Sequence, residues 1–130
     1  MPFPITPAEI AKTEAKTGFT FPLGLKSRFT KGNGGEVDVG GDHWWLIPFL
    51  DTTDRKRIAR TCNDITRETA RMREWGRFPE DAFVIAQNGS GDYLIIRPEA
   101  DGSKELGEIV YFWDHETGEH EPVADSLDSI

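Results

Sequence analysis

Apolar residues recur along this chain at two spacings, helical first and strand-like later. Thr6 is placed as an N-cap, with Pro7 at N1 and Glu9 at N3 completing a capping box, and Ile5 and Ile10 positioned as a hydrophobic staple. Gly18 marks the end of that helix near residue 17. Phe21-Pro22 leads into a short second helix over residues 23–30, where Leu25 and Phe29 share one face. Residues 32–42, GNGGEVDVGGD, predict a tight turn, a brief strand at Glu36–Val39 and a second turn. The apolar run over residues 44–50 contains Pro48, which predicts an edge strand or a bulge. Ile58, Cys62, Ile65, Thr69 and Met72 follow at alternating spacings of four and three. That is one stripe of a long helix over residues 54–75, with Arg55, Lys56, Arg60, Arg67 and Arg71 opposite and Gly76 closing it.

Beyond Pro79 the pattern changes to short apolar runs. FVIAQ (83–87) and YLIIR (93–97) flank NGSGD (88–92), a five-residue hairpin loop. EIVYFW (108–113) and EPVA (121–124) flank the turn HETGEH. The runs are continuous rather than alternating, so much of the sheet is expected to be covered on both faces. Short connections mean antiparallel pairing. The expected class is α+β: one domain, a central antiparallel sheet with a meander in the C-terminal half, packed by N-terminal helices and one long central helix. The expected core runs from about residue 5 to 124, with 125–130 a frayed tail.

Composition narrows the classes. At 130 residues, 37% hydrophobic and 29% charged, the chain has enough apolar surface for one folded domain and too much for a disordered one. No apolar run reaches the ~18 residues of a membrane span, and the first residues show no basic-then-apolar leader. The expected compartment is the cytoplasm. The single cysteine, Cys62, supports neither an internal disulfide nor a cysteine-based zinc site, and its place on the apolar stripe predicts a buried, inert thiol. Charge is divided unevenly. Residues 1–77 carry 13 Lys+Arg and 10 Asp+Glu, net +3, whereas residues 78–130 carry 2 and 13, net −11. An acidic half of that strength opposes nucleic acid and favours a basic partner.

No reaction is written into the motifs. DHETGEH (114–120) gathers His115, Glu116, Glu119 and His120, but the histidines are five apart with Gly118 between them, unlike the four-residue helical spacing of a zincin. The glycine loops at 32–35 and 88–92 lack the strand-to-helix context and Lys-Ser/Thr pair of a phosphate cradle; turn chemistry accounts for both. Ser90 beside Asp92 is ordinary in a turn. The expectation is no catalytic residue, no cofactor and no metal. The adjacent Trp44 and Trp45 differ: in a strand one faces in and the other out, and an exposed tryptophan beside charge suits a protein interface. It suits a homodimer equally, so monomer and dimer both stay open.

The order of short motifs resembles the SUKH superfamily, which takes in fungal cell-wall synthesis regulators and many bacterial immunity proteins. The resemblance rests on the run from Phe21 to Phe29, Asn33-Gly34-Gly35, IPF (47–49), FPEDAFVIAQNGSGDYLI (78–95), GEIVYFWDHE (107–116) and VADS (123–126). It implies an α+β fold and binding rather than catalysis, with a cognate bacterial polymorphic toxin, a nuclease among the candidates, as partner. The expected contacts are Trp45, Asp92, Tyr93, Glu108, Trp113, Asp114, Glu116 and Glu119, set against a basic active site. A regulatory scaffold module is the alternative the fungal relatives suggest, and a small hydrolase built on residues 115–120 is a further one.

Overall fold

A computed structural model describes residues 2–130. Helix α1 (Pro7–Thr17) begins as expected: Thr6 accepts from the Glu9 N–H, and Gly18 closes the helix at φ 78°. The capping box is only half made, because the Glu9 carboxylate turns away to Thr52, accepting from its N–H and its hydroxyl at 2.7 Å each. Helix α2 (Leu23–Lys31) buries Leu25 and Phe29. Strands β1 (Glu36–Val39) and β2 (Asp42–Leu46) form a hairpin across Gly40 and Gly41, both at positive φ. Pro48 lies past the end of β2, so the expectation of an edge strand fails: β2 is interior, paired to β1 on one side and to β3 on the other.

The expected long helix is two helices, α3 (Arg55–Thr61) and α4 (Ile65–Arg73). Asp64 interrupts it with extended backbone (φ −84°, ψ 174°) and accepts from the Arg67 N–H, so it caps α4 instead of continuing α3. The Ile65 N–H is tied to the Pro48 carbonyl at 2.9 Å, which fixes where α4 starts. The stripe is buried only after the break, at Ile65, Thr69 and Met72; Ile58 and Cys62 are exposed, so Cys62 is not the buried thiol its spacing suggested. Below the sheet, Phe49 meets Phe21 and Phe29 edge-on at 5.0 and 5.1 Å. A fully buried side chain of this size stabilises the fold by roughly 1.5–3 kcal/mol.

Strands β3 (Phe83–Gln87), β4 (Tyr93–Ile96), β5 (Val110–Trp113) and β6 (His120–Ala124) complete a six-stranded antiparallel sheet in chain order. In a flat sheet the outer strands would stand about 24 Å apart, five spacings of about 4.8 Å. Here a Cβ placed on Gly40 would lie 3.7 Å from Val123 Cγ1, so the sheet curls until the β1–β2 turn meets β6. The register puts Trp44, Leu94, Phe112, Glu121 and Val123 on the concave face and Trp45, Gln87, Tyr93, Trp113 and His120 on the convex one, where α4 packs. The final residues do not fray: Leu127–Ser129 forms a 3-10 turn, Leu127 is buried, and Arg28 donates to the Ile130 carbonyl at 2.9 Å.

Candidate partner-binding site

Two hairpin tips meet at one end of the sheet. In the β3–β4 tip, Ser90 N–H donates to Asn88 Oδ1, and Gly89 and Gly91 take φ of 83° and 98°. A Cβ on Gly91 would lie 3.2 Å from the His115 ring, so both the backbone angle and the close approach select glycine. Asp92 Oδ1 accepts from the His115 backbone N–H at 3.1 Å and pairs with its Nδ1 at 2.7 Å. The β5–β6 tip closes through Gly118 at φ 75°, with Glu116 N–H donating to Asp114 Oδ1 and Glu119 N–H to Thr117 Oγ1. Arg77 donates to the Glu116 carbonyl and lies against Gly118.

Protonation follows from this geometry. Burial raises the Asp92 carboxyl, but hydrogen bonds from the His115 ring and backbone outweigh it and hold it below its ordinary 3.8. The same Asp92 contact raises His115 above 6.5. Asp92, Asp114 and His115 each bring one ligand atom within 4.8 Å of the others, a spacing a cation could bridge. In the structure those atoms are occupied by one another and by the Glu116 N–H, and the arrangement works as a bracket between hairpins. His120 stands apart from the other residues of its motif. It meets Arg97 at 3.1 Å and packs on Tyr111, and burial together with the Arg97 charge lowers its pKa.

The eight expected contacts separate into groups. Asp92, Asp114, Glu116 and Glu119 gather at the bracket and its rim. Trp45, 44% exposed, and half-buried Tyr93 line a groove of about 400 Å³ between the convex face and α4, with Asn63, Glu68, Arg71 and Gln87. Burial and the Glu68 charge push the Tyr93 hydroxyl above its usual range. Glu108 lies at the far end of β5, where its carboxylate accepts from the Gly24 N–H at 3.0 Å and caps α2, whose N-cap Pro22 has no side-chain acceptor to offer. Trp113 is fully buried against Phe78.

Sequence reasoning passed over two features. His43 stands between Glu36 (2.9 Å) and Asp38 (2.6 Å), beside Trp45, and those carboxylates raise its pKa. Glu121 shares the concave face with Phe112. Strand alternation was the signal that carried both.

The sequence model of the SMI1 / KNR4 family (SUKH-1) matches residues 4–130. The chain belongs to this family. No curated protein and no solved structure matches it. In this SUKH-1 chain the short motifs work as mates. Asn33 of the NGG turn, buried, donates to the Phe49 carbonyl at 2.8 Å and accepts from the Phe49 N–H at 2.9 Å, locking the NGG and IPF segments together. Asp92 and His115 lock the other two motifs in the same way. The final turn, Leu127–Ser129, falls within the matched region.

Proposed function

We propose that this SUKH-1 protein is an immunity-type binder that neutralises a cognate bacterial toxin by covering a basic active site on it, a nuclease site being one that would present such a surface. It acts by binding and not by catalysis. One observation carries the reading: Asp114, Glu116, Glu119 and Glu121 crowd the β5–β6 hairpin, and among the described residues none of them has a cation within ion-pair distance, the nearby His115 ring being paired to Asp92. Carboxylates left uncompensated raise repulsion within the fold and attraction towards a cationic partner. Asp92 holds the two tips together so that this rim is presented as a unit, and Trp45 and Tyr93 supply an aromatic anchor on the neighbouring face. Among the described residues no helix is long and apolar enough to cross a membrane.

The test is a tagged pull-down from native lysate, washed at low and high salt, with bound proteins identified by mass spectrometry. One dominant basic partner, released by salt and toxic when expressed without this protein, is the expected result. Several non-toxic partners would replace the reading with a regulatory scaffold role. Retention of the partner through the high-salt wash would place the interface on apolar surface instead of the acidic rim.

A further inference from the structure

The concave face of the curled sheet is apolar along most of its length; Trp44 and Leu94 are buried in it, and Phe112 and Val123 remain half-buried beside β6. Val39, Trp44, Leu94, Phe112 and Val123 line a cavity of about 130 Å³ there. It adjoins a second cavity, of about 210 Å³, through Phe112 and Glu121, which line both. The second is walled by Asp114, Thr117, Glu119 and His120, whose ring is turned to Arg97 and Tyr111. Register makes Glu121 the exception on this face: it stands directly across from Phe112, where alternation along β6 continues an otherwise apolar row. The nearby cations are committed elsewhere, Arg77 to the Glu116 carbonyl and Arg97 to Asp81 and His120.

An aromatic floor with carboxylates around its mouth selects a particular side chain. A planar cation stacks on an aromatic face, and its forked donors meet two carboxylates at once; an aliphatic stem then covers the apolar strip. We infer that this groove is the receptor for an arginine side chain of the partner, its guanidinium between Glu119 and Glu121 over Phe112 and its stem along Val123. The inference rests on the partner-binding reading above and specifies which part of the acidic rim makes the anchoring contact.

The partner is not needed to test it. N-acetyl-arginine amide, N-acetyl-lysine amide and N-acetyl-citrulline amide are titrated into the intact ¹⁵N-labelled protein, and backbone shifts are followed. Arginine is expected to give saturable shifts confined to Phe112, Glu119, Glu121 and their neighbours, with lysine weaker and citrulline silent. Glu119→Gln together with Glu121→Gln, both exposed positions, is expected to weaken arginine binding on the order of tenfold with the melting temperature held. Phe112→Leu is expected to remove the preference for arginine over lysine. Equal responses to arginine and lysine, shifts unaltered by the glutamine substitutions, or shifts centred on the Trp45–Tyr93 groove would each overturn the inference. Partner capture that survives these failures leaves the immunity reading standing, whereas arginine binding without any toxic partner removes that reading alone.

Discussion

The helical part of the molecule and its hairpin end are both dense in charge, but they use it differently. Around α1 to α4 most of the carboxylates are consumed by the fold, exposed Glu74 at the end of α4 excepted. Glu9 holds Thr52 and Lys12, Glu14 holds the Phe21 N–H and Lys26, Asp51 holds Thr53, and Asp54 and Asp64 cap helices. At the β5–β6 hairpin, Glu116, Glu119 and Glu121 make no ion pair among the described residues. Net charge alone does not distinguish the two situations. What matters is whether each charge is satisfied from within, since satisfied charges act on stability and unsatisfied ones on association.

The contrast is sharpest at Glu9, where the largest stability effect is expected. Its side chain is 4% exposed. Burial would raise its pKa, but hydrogen bonds from Lys12 and from the Thr52 hydroxyl and N–H reverse that and bring it to about 2. Because the folded value lies below the unfolded one, the stabilisation is complete above the ordinary carboxylate range and drains away as pH falls from about 4.5 towards about 2. Glu9→Gln should cost about 1–3 kcal/mol at neutral pH, by denaturant titration, and should flatten the acid limb of the stability profile.

Asp92 is where the hairpin end departs from its own rule, since its carboxylate is satisfied by His115. Asp92→Ala should cost about 1–2 kcal/mol and loosen both tips, read as faster amide exchange at residues 88–92 and 114–119. Its pH signature has two sides. Asp92, lowered, contributes in full above its ordinary 3.8 and loses that contribution as pH falls through its folded pKa; His115, raised above 6.5, contributes below that value and loses it as pH rises through its folded pKa. The difference between wild type and variant should therefore be greatest between those two titrations and shrink at alkaline pH.

Asp64 tests the smaller, purely local use of a carboxylate. Removing the cap in Asp64→Ala should cost about 1 kcal/mol and lower helicity at the start of α4 by circular dichroism. This residue also explains why the central helix misled the reading of the sequence. Helical spacing continues unbroken from Ile58 to Met72, and periodicity cannot see a cap whose carboxylate takes the Arg67 N–H or a Pro48 carbonyl that claims Ile65 from across the fold. Local signals did suffice for the Thr6 cap, the β3–β4 hairpin and the glycine turns, where the structure depends on neighbours in the chain. The α+β class and the antiparallel sheet were legible for the same reason. Of the expected site, the acidic tip was readable because its residues are consecutive. The burial of Trp113 and the capping role of Glu108 were not, because Phe78 and Gly24 reach them only through the tertiary fold.

The smallest stability effect and the largest effect on association should coincide at the hairpin rim. Glu116→Lys together with Glu119→Lys removes no side-chain hydrogen bond or ion pair within the fold, and the attraction of exposed Glu116 for the His115 ring is screened by solvent, so stability should stay within about 0.5 kcal/mol of wild type. Association with a basic partner should slow on the order of tenfold at low ionic strength, and the gap should close as salt is added, because exposed charges more than about 10 Å apart are screened at 0.1 M. Stopped-flow association rates across a salt series measure this directly. A double variant that binds as fast as wild type at every salt concentration would mean that the uncompensated carboxylates serve only to hydrate the surface. The Trp45–Tyr93 groove would then be the face through which this SUKH-1 protein meets its partner.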